Sequence, residues 1–225
     1  MKRVLKWITN NKLLFIVNIV VLIPLLSVLF SFELNFSYLS SFINYNMPEN
    51  IKQMLQESGK SYTPLWLPIH STGEWAIRFF MITLTCTPIS IIFGWNTKRY
   101  RKLFGIYTFV YSVFHSIFFL ADYGFFGIFD ELNYILGLLA TLIIIPLGIT
   151  SNKWSMKKLR KNWMKLQQLA YPAALLAVLH IVFLKGGAWE FYSFVIIIGF
   201  IFRINRAKTF FRNFRLRKIK PARSV

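Results

Sequence analysis

The residues of this 225-residue chain best suited to bind a metal are its three histidines, His70, His115 and His180. His115 lies in the apolar stretch VYSVFHSIFFL, and His180 lies in LLAVLHIVF. An ionisable side chain is costly in such surroundings, so it is expected to face the interior of a helical bundle. The chemistry to consider is therefore metal or cofactor binding between helices.

His115 and His180 are predicted to lie at nearly the same depth. His115 follows Leu103 by 12 residues and His180 follows Gln167 by 13, which is about 18 and 20 Å along two helices predicted to run in the same direction. Two neutral imidazoles that face each other can take both axial positions of a haem iron. Zinc needs more ligands than this pair supplies. The spacing indicates haem, with helix-bridging histidines as the alternative.

Long apolar runs predict that the supporting helices cross a membrane. The chain is 56% hydrophobic, and a helix needs about 20 apolar residues to cross a bilayer core. Candidate spans lie at about 13–32, 75–94, 103–121, 132–150, 167–185 and 189–203, the last being short. We expect the first to be retained rather than cleaved. The prediction is an all-α fold, a six-helix transmembrane bundle forming one domain over residues 1–225, with an outer loop at 33–72.

The distribution of charge predicts that both termini are cytoplasmic. With that orientation, the inner segments hold 23 of the 27 Lys and Arg residues and none of the eight Asp and Glu residues. Cytoplasmic loops of membrane proteins carry an excess of Lys and Arg, and such segments meet anionic heads of the lipid bilayer. The net charge of +19 therefore needs no nucleic-acid partner. The single cysteine, Cys86, is expected to be a small core residue.

Four stretches, in this order and spacing, resemble one known family. They are HSTGEWAIRFFMITLTCTP (70–88), RYRKLFGIYTFVYSVFH (99–115), PLGITS (146–151) and KNWMKLQQLAYPAALLAVLH (161–180). The sequence is similar to the MsrQ (formerly YedZ) family, the haem-binding membrane subunit of the periplasmic methionine sulfoxide reductase system. That family falls within the ferric-reductase-like transmembrane group.

The resemblance implies one haem b, held by His115 and His180 on the third and fifth spans. It also implies a place in the bacterial inner membrane, where the protein passes electrons to a periplasmic molybdopterin reductase subunit that reduces oxidised methionine. In this family the electrons come from the quinol pool or from a cytoplasmic flavin reductase, so quinone or FMN is a candidate electron source. The chain would then be an electron-transfer subunit of an oxidoreductase system.

At one position the chain departs from the family. The family pattern WQxLHxxxY has a histidine near the start of the fifth span, where this sequence reads WMKLQ and places Gln167. Gln167 lies about 20 Å below His180, and Lys102 stands at the same inner level on the third span. Neither side chain is an expected iron ligand. A second, inner haem is therefore not predicted.

Three further residues are considered beside the haem. Arg78 matches the basic residue of the family's TGxxAL(R/K)F stretch, and its guanidinium would pair with a haem propionate; the alternative is an arginine that snorkels to the outer interface. Tyr111, one turn before His115, is considered as pocket lining or as ordinary packing. His70 would hydrogen-bond a propionate, contribute to docking, or be a plain interfacial histidine.

Two other functions stay open from the sequence. A stand-alone ferric or quinone reductase of the same group would need a flavin domain, and the basic tail at 203–225 is expected to be too short for one. The second is a haem-free helical bundle whose histidines are structural. No phosphate-binding loop or zinc motif is evident in the sequence, so substrate turnover is expected on a partner.

Overall fold

The structure, a computed structural model, describes residues 11–30, 32–33, 44–45, 49, 53, 63, 65–184, 189–202 and 204–219. Within this part of the chain nine α-helices follow one another: α1 Lys12–Phe30, α2 Trp66–Phe93, α3 Lys98–Tyr123, α4 Leu132–Ile149, α5 Lys153–Leu159, α6 Lys161–Gln168, α7 Ala170–Phe183, α8 Trp189–Ile201 and α9 Asn205–Ile219. A short 3-10 helix, Phe126–Phe129, precedes α4. Two-residue strands β1 (Phe32–Glu33) and β2 (Asn44–Tyr45) pair antiparallel. Most of the predicted outer loop lies outside the described residues.

Four stretches are long and apolar enough to cross a membrane. They are α2, α3, α4 and the segment Lys161–Phe183, which contains α6 and α7. The stretch Lys12–Val28 of α1 and the helix α8 are apolar but shorter than these four. The all-α fold and the membrane-spanning character are therefore confirmed, whereas the count of six spans and the cytoplasmic termini stay predictions.

Helix α2 begins at Trp66, well before residue 75, where the second span was predicted to start. Pro68 lies in its first turn, where the missing N–H of proline would have no helical acceptor in any case. The helix is capped by Gly94, whose φ of 77° suits glycine and whose N–H donates to the Ser90 carbonyl. The extra turns at the start of α2 carry the polar His70 and Glu74, so an apolar window misses them.

The predicted fifth span is divided at Leu169. Pro172 has no N–H to donate to the carbonyl of Gln168, and its ring would clash with that carbonyl in a continuous helix. The chain responds with a tight turn, in which the N–H of Leu169 donates to the Leu166 carbonyl at 2.9 Å. Helix α7 then begins at Ala170.

Two helix pairs make the most extensive contacts, α2 with α3 and α4 with α7. One core cluster joins α2, α4, α7 and α8, with Phe80, Ala174 and Val195 among its buried members. A second joins α1, α2 and α3 around Phe79 and Tyr111. Since His115 lies on α3 and His180 on α7, each helix pair contributes one histidine to the space between them.

Candidate cofactor-binding site

His115 and His180 face the same cavity although 65 residues separate them in the sequence. Their ring centres are 6.4 Å apart, and their planes are inclined by 73°. The cavity has a volume of about 300 Å³. A metal bound by two imidazoles lies about 2 Å from each nitrogen, which puts the ring centres about 6 Å apart. The observed separation therefore fits one metal atom held between the two rings.

Each imidazole is hydrogen-bonded to the main chain of the neighbouring helix. Nδ1 of His115 lies 2.9 Å from the carbonyl oxygen of Ile69 on α2, and Nδ1 of His180 lies 2.6 Å from that of Asn133 on α4. A carbonyl oxygen can only accept, so in both rings Nδ1 carries the hydrogen and donates it. The lone pair of each neutral ring is then on Nε2, which is the tautomer that binds a metal through Nε2.

The side chain of Asn133 stabilises the start of α4, where its own carbonyl serves His180. Asn133 is buried, and its amide donates to a carboxylate oxygen of Glu131 at 2.9 Å. Its Oδ1 accepts from the N–H of Tyr134 at 2.7 Å. These two bonds stabilise the first turn of α4, and this turn contains the carbonyl that accepts from His180.

The cavity walls are formed by small and apolar side chains in a repeated register. Among the lining residues of helix α2, four are spaced as i, i+3, i+4 and i+7, and four of those on α4 have the same spacing. The α2 residues are Gly73, Ala76, Ile77 and Phe80, and the α4 residues are Gly137, Ala140, Thr141 and Ile144. This spacing places each set on one helix face. A flat, mostly apolar group fits between such faces, so the residues present are compatible with a haem held by His115 and His180.

Aromatic and polar side chains surround the mouth of the cavity, with His70 among them. The His70 ring stacks on Trp66 with centres 5.0 Å apart, and its Nε2 lies 3.3 Å from a carboxylate oxygen of Glu74. The side chain of His70 is 54% exposed. It therefore lies at the rim, and the structure does not bring it into line with the two interior histidines.

Arg78 and Tyr111 do not line the cavity. The guanidinium of Arg78 donates to Glu74 at 2.6 Å and lies 5.0 Å from the centre of the Trp75 ring. Tyr111 is fully buried in the cluster around Phe79 and faces α1. The predicted contacts of Arg78 and Tyr111 with a cofactor therefore have no counterpart in the cavity wall and stay predictions.

Gln167 connects α6 to the C-terminal end of α4 through hydrogen bonds. Its amide donates to the Leu147 carbonyl at 3.2 Å and to the Thr150 hydroxyl at 3.3 Å. The indole N–H of Trp163 donates to the Thr150 carbonyl at 2.9 Å. Among the residues that the structure describes, no group of three or more His, Cys, Asp or Glu side chains is placed to hold a metal ion. Helix α6 is thus connected to the C-terminal end of α4 by neutral hydrogen bonds.

Sequence reasoning missed the two glycines that contact the histidines, Gly73 on α2 and Gly137 on α4. A glycine inside a helix is less stable than alanine by about 1 kcal/mol. Such a residue is expected to have a packing reason, and that signal was visible in the stretches HSTGEW and YILGLLAT. Which histidine each glycine would meet depends on the arrangement of the helices.

The chain is similar to known membrane proteins over the region that builds this cavity. Residues 72–178 match a family described as ferric reductase like transmembrane component, a range that includes His115 and ends two residues before His180. The heme-binding subunit MsrQ of Rhizobium meliloti (strain 1021) is 30% identical over 172 residues, which is 69% of this chain and 76% of the relative. The chain belongs to the MsrQ family.

Other MsrQ relatives are more similar over a shorter region. The protein-methionine-sulfoxide reductase heme-binding subunit MsrQ of Xanthomonas campestris pv. campestris (strain B100) is 42% identical over 119 residues, or 49% of this chain and 55% of the relative. The MsrQ of Xanthomonas oryzae pv. oryzae (strain MAFF 311018) is 42% identical over 123 residues, with the same coverage. The chain thus spans about half the length of these curated relatives. No solved structure matches it significantly. The resemblance stated from sequence motifs is confirmed.

Proposed function

We propose that this MsrQ-family chain is the b-type haem subunit of a membrane electron-transfer system, with His115 and His180 as the two axial ligands. The observation that carries the proposal is the pair of imidazoles, 6.4 Å apart between ring centres, each with Nδ1 on a main-chain carbonyl. One haem is proposed, because the third histidine, His70, lies at the rim beside Glu74. When bound, haem supplies a one-electron redox couple.

The chain's own residues hold the ligands and control their surroundings. The hydrogen bonds from Nδ1 fix the orientation of both rings and make each Nε2 a better donor to a metal. The apolar walls on α2 and α4 exclude water, and burial of this kind is one of the main influences on a redox potential. Trp66 and Tyr134 also line the cavity, so aromatic side chains lie beside the proposed haem site.

The proposed partners follow from the family. Its curated members are named as subunits of a protein-methionine-sulfoxide reductase, so we propose that electrons leave to a periplasmic molybdopterin reductase subunit that repairs oxidised methionine. The electrons enter from quinol or from a cytoplasmic flavin reductase. In this proposal the membrane subunit fixes and tunes the redox centre, while substrate turnover takes place on the partner.

We also propose that the chain forms one six-span domain in the bacterial inner membrane, with both termini in the cytoplasm. The segregation of basic from acidic residues supports this orientation. Cysteine labelling in a Cys86→Ala background tests it. Ser224→Cys is expected to react only from the cytoplasmic side, and Glu57→Cys only from the periplasmic side. Labelling of both positions from one side would contradict the proposal.

A visible spectrum of the purified protein tests the haem assignment. The wild-type protein, expressed with a supply of haem, is expected to show a reducible b-type spectrum with about one haem per chain. His115→Ala and His180→Ala are each expected to lose haem affinity by at least about tenfold, since loss of even a supporting partner of a ligand has effects of that order. His70→Ala is the matched control and is expected to keep the haem.

Each rival function has its own outcome in this experiment. A colourless but well-folded wild-type protein would favour a haem-free bundle with structural histidines. Haem retained in His115→Ala or His180→Ala would refute the ligand assignment. Reduction of ferric iron or quinone by the purified chain with a flavin donor alone would favour a stand-alone reductase.

A further inference from the structure

The two histidines are held by the same local geometry on two different helices. On α2, the carbonyl of Ile69 accepts from His115 and Gly73 follows four residues later. On α4, the carbonyl of Asn133 accepts from His180, and a glycine again follows four residues later, at position 137. Residues four apart lie on one helix face, one turn from each other. Each imidazole thus rests on a face made of one carbonyl and one glycine.

The glycines leave little space for a larger residue beside the rings, since a Cβ at either position would require the ring to shift by a few tenths of an ångström. A Cβ built on Gly73 would lie 3.0 Å from both Nδ1 and Cε1 of His115. A Cβ built on Gly137 would lie 3.0 Å from Nδ1 and 3.1 Å from Cε1 of His180. Contacts this short force the neighbour to move. A ring that is bonded to a carbonyl at Nδ1 and to a metal at Nε2 can shift only by changing its plane or by lengthening one of these bonds.

We propose that Gly73 and Gly137 are positioning residues that set the planes of the two axial imidazoles. This inference rests on the proposed function, because it assumes that His115 and His180 bind haem. The glycines act through the histidines. Each glycine determines how closely its own helix approaches the imidazole ring, and so how the ring is oriented on the carbonyl that accepts its hydrogen bond. The inclination of 73° between the ring planes is then a product of the two faces.

Three other glycines in the helices provide matched comparisons. A Cβ on Gly105 would meet only the Thr83 methyl group, at 3.7 Å, and a Cβ on Gly199 would meet nothing within 4 Å. Both positions have room for alanine. A Cβ on Gly148 would overlap the side chain of Phe109, which does not line the cavity. Alanine there disturbs packing without touching a histidine.

The experiment compares these variants as full-length, haem-loaded protein. Gly73→Ala and Gly137→Ala are each expected to change the EPR g-values of the low-spin ferric haem, which report the relative orientation of the axial imidazole planes. They are also expected to shift the midpoint potential and to weaken haem retention by about tenfold. Gly105→Ala and Gly199→Ala are expected to match the wild type. Gly148→Ala is expected to lower thermal stability and leave the g-values of the folded protein unchanged.

Wild-type g-values and potential in both Gly73→Ala and Gly137→Ala would overturn the inference while leaving the haem assignment intact. A wild-type protein without haem would instead refute the proposed function. If Gly73→Ala fails to accumulate, His115→Gly supplied with free imidazole provides the second measurement. Adding Gly73→Ala to that background is expected to weaken imidazole binding. Equal imidazole affinities of the single and double variants would count against the inference. So would a failure of imidazole to restore the haem spectrum in His115→Gly itself.

Discussion

The main-chain N–H of Leu25 donates to the hydroxyl of Tyr111 at 3.1 Å, which joins α1 to α3. The same hydroxyl donates to the carbonyl of Val21 at 2.6 Å. In an uninterrupted helix this N–H and this carbonyl would pair directly. Pro24, just before Leu25, already removes one donor from this turn. Tyr111 therefore provides hydrogen-bond partners to α1 next to Pro24.

Tyr111→Phe is expected to destabilise the protein and leave the haem unchanged. Removal of the hydroxyl deprives a buried carbonyl and a buried N–H of their partner, at a cost of about 1–3 kcal/mol. A thermal unfolding series in detergent measures the loss. Tyr107→Phe is a graded control with a smaller effect, because the Tyr107 hydroxyl donates to the side chain of Asn18 and not to the main chain. A changed haem spectrum in Tyr111→Phe would instead support its assignment to the pocket lining.

Arg78→Gln is expected to retain haem with an unchanged spectrum. The guanidinium is paired with Glu74 in an exposed position, and exposed ion pairs of this kind contribute about 0–1 kcal/mol. The measurements are haem content and midpoint potential, with Glu74→Gln as the companion variant. A marked loss of haem in Arg78→Gln alone would support the propionate contact predicted from the sequence.

Gln167→His is expected not to create a second haem site. A second axial ligand would be needed, and the residue that the count along α3 predicts at the same level is Lys102, a long cation that is exposed in the structure. The new histidine would also lose the amide bonds that Gln167 makes to Leu147 and Thr150. Quantification of haem per chain checks the prediction, with the wild-type ratio as the reference. A doubled ratio would refute it.

Gly148→Ala is expected to lower stability by about 1–3 kcal/mol, the usual cost of overpacking. The added Cβ would overlap the ring of Phe109. Phe109→Leu in the same chain is expected to recover part of the loss, because the smaller side chain gives the Cβ room. A double-mutant cycle of thermal stability measures this coupling. Additive effects of the two substitutions would show that they do not meet.

Much of the helical architecture was predictable, because apolar runs and helix rise are local properties of a sequence. The exceptions are instructive. Pro24, Pro88 and Pro146 lie inside continuous helices, whereas Pro172 coincides with a break between α6 and α7. Whether a helix tolerates proline depends on partners supplied by other helices. A single sequence does not contain that information.

For the candidate site, the depth of each histidine along its helix was predictable from the sequence, but the direction in which each side chain points was not. His115 and His180 were placed at one level by counting residues, and the structure brings their rings together. Tyr111 lies one turn from His115 yet points to α1, because the rotation of α3 is decided by packing against neighbouring helices. Gly73 escaped notice for the same reason, since its contact with His115 exists only once α2 and α3 are placed side by side.

Both histidines present their Nδ1 hydrogen to an oxygen that belongs to the peptide backbone. Every amino acid brings that oxygen with it, so no replacement of the side chain at 69 or 133 can delete the acceptor while the helix persists. A substitution at Ile69 is therefore expected to leave the proton arrangement of His115 unchanged, whereas one at Asn133 also removes the side-chain bonds that support the first turn of α4.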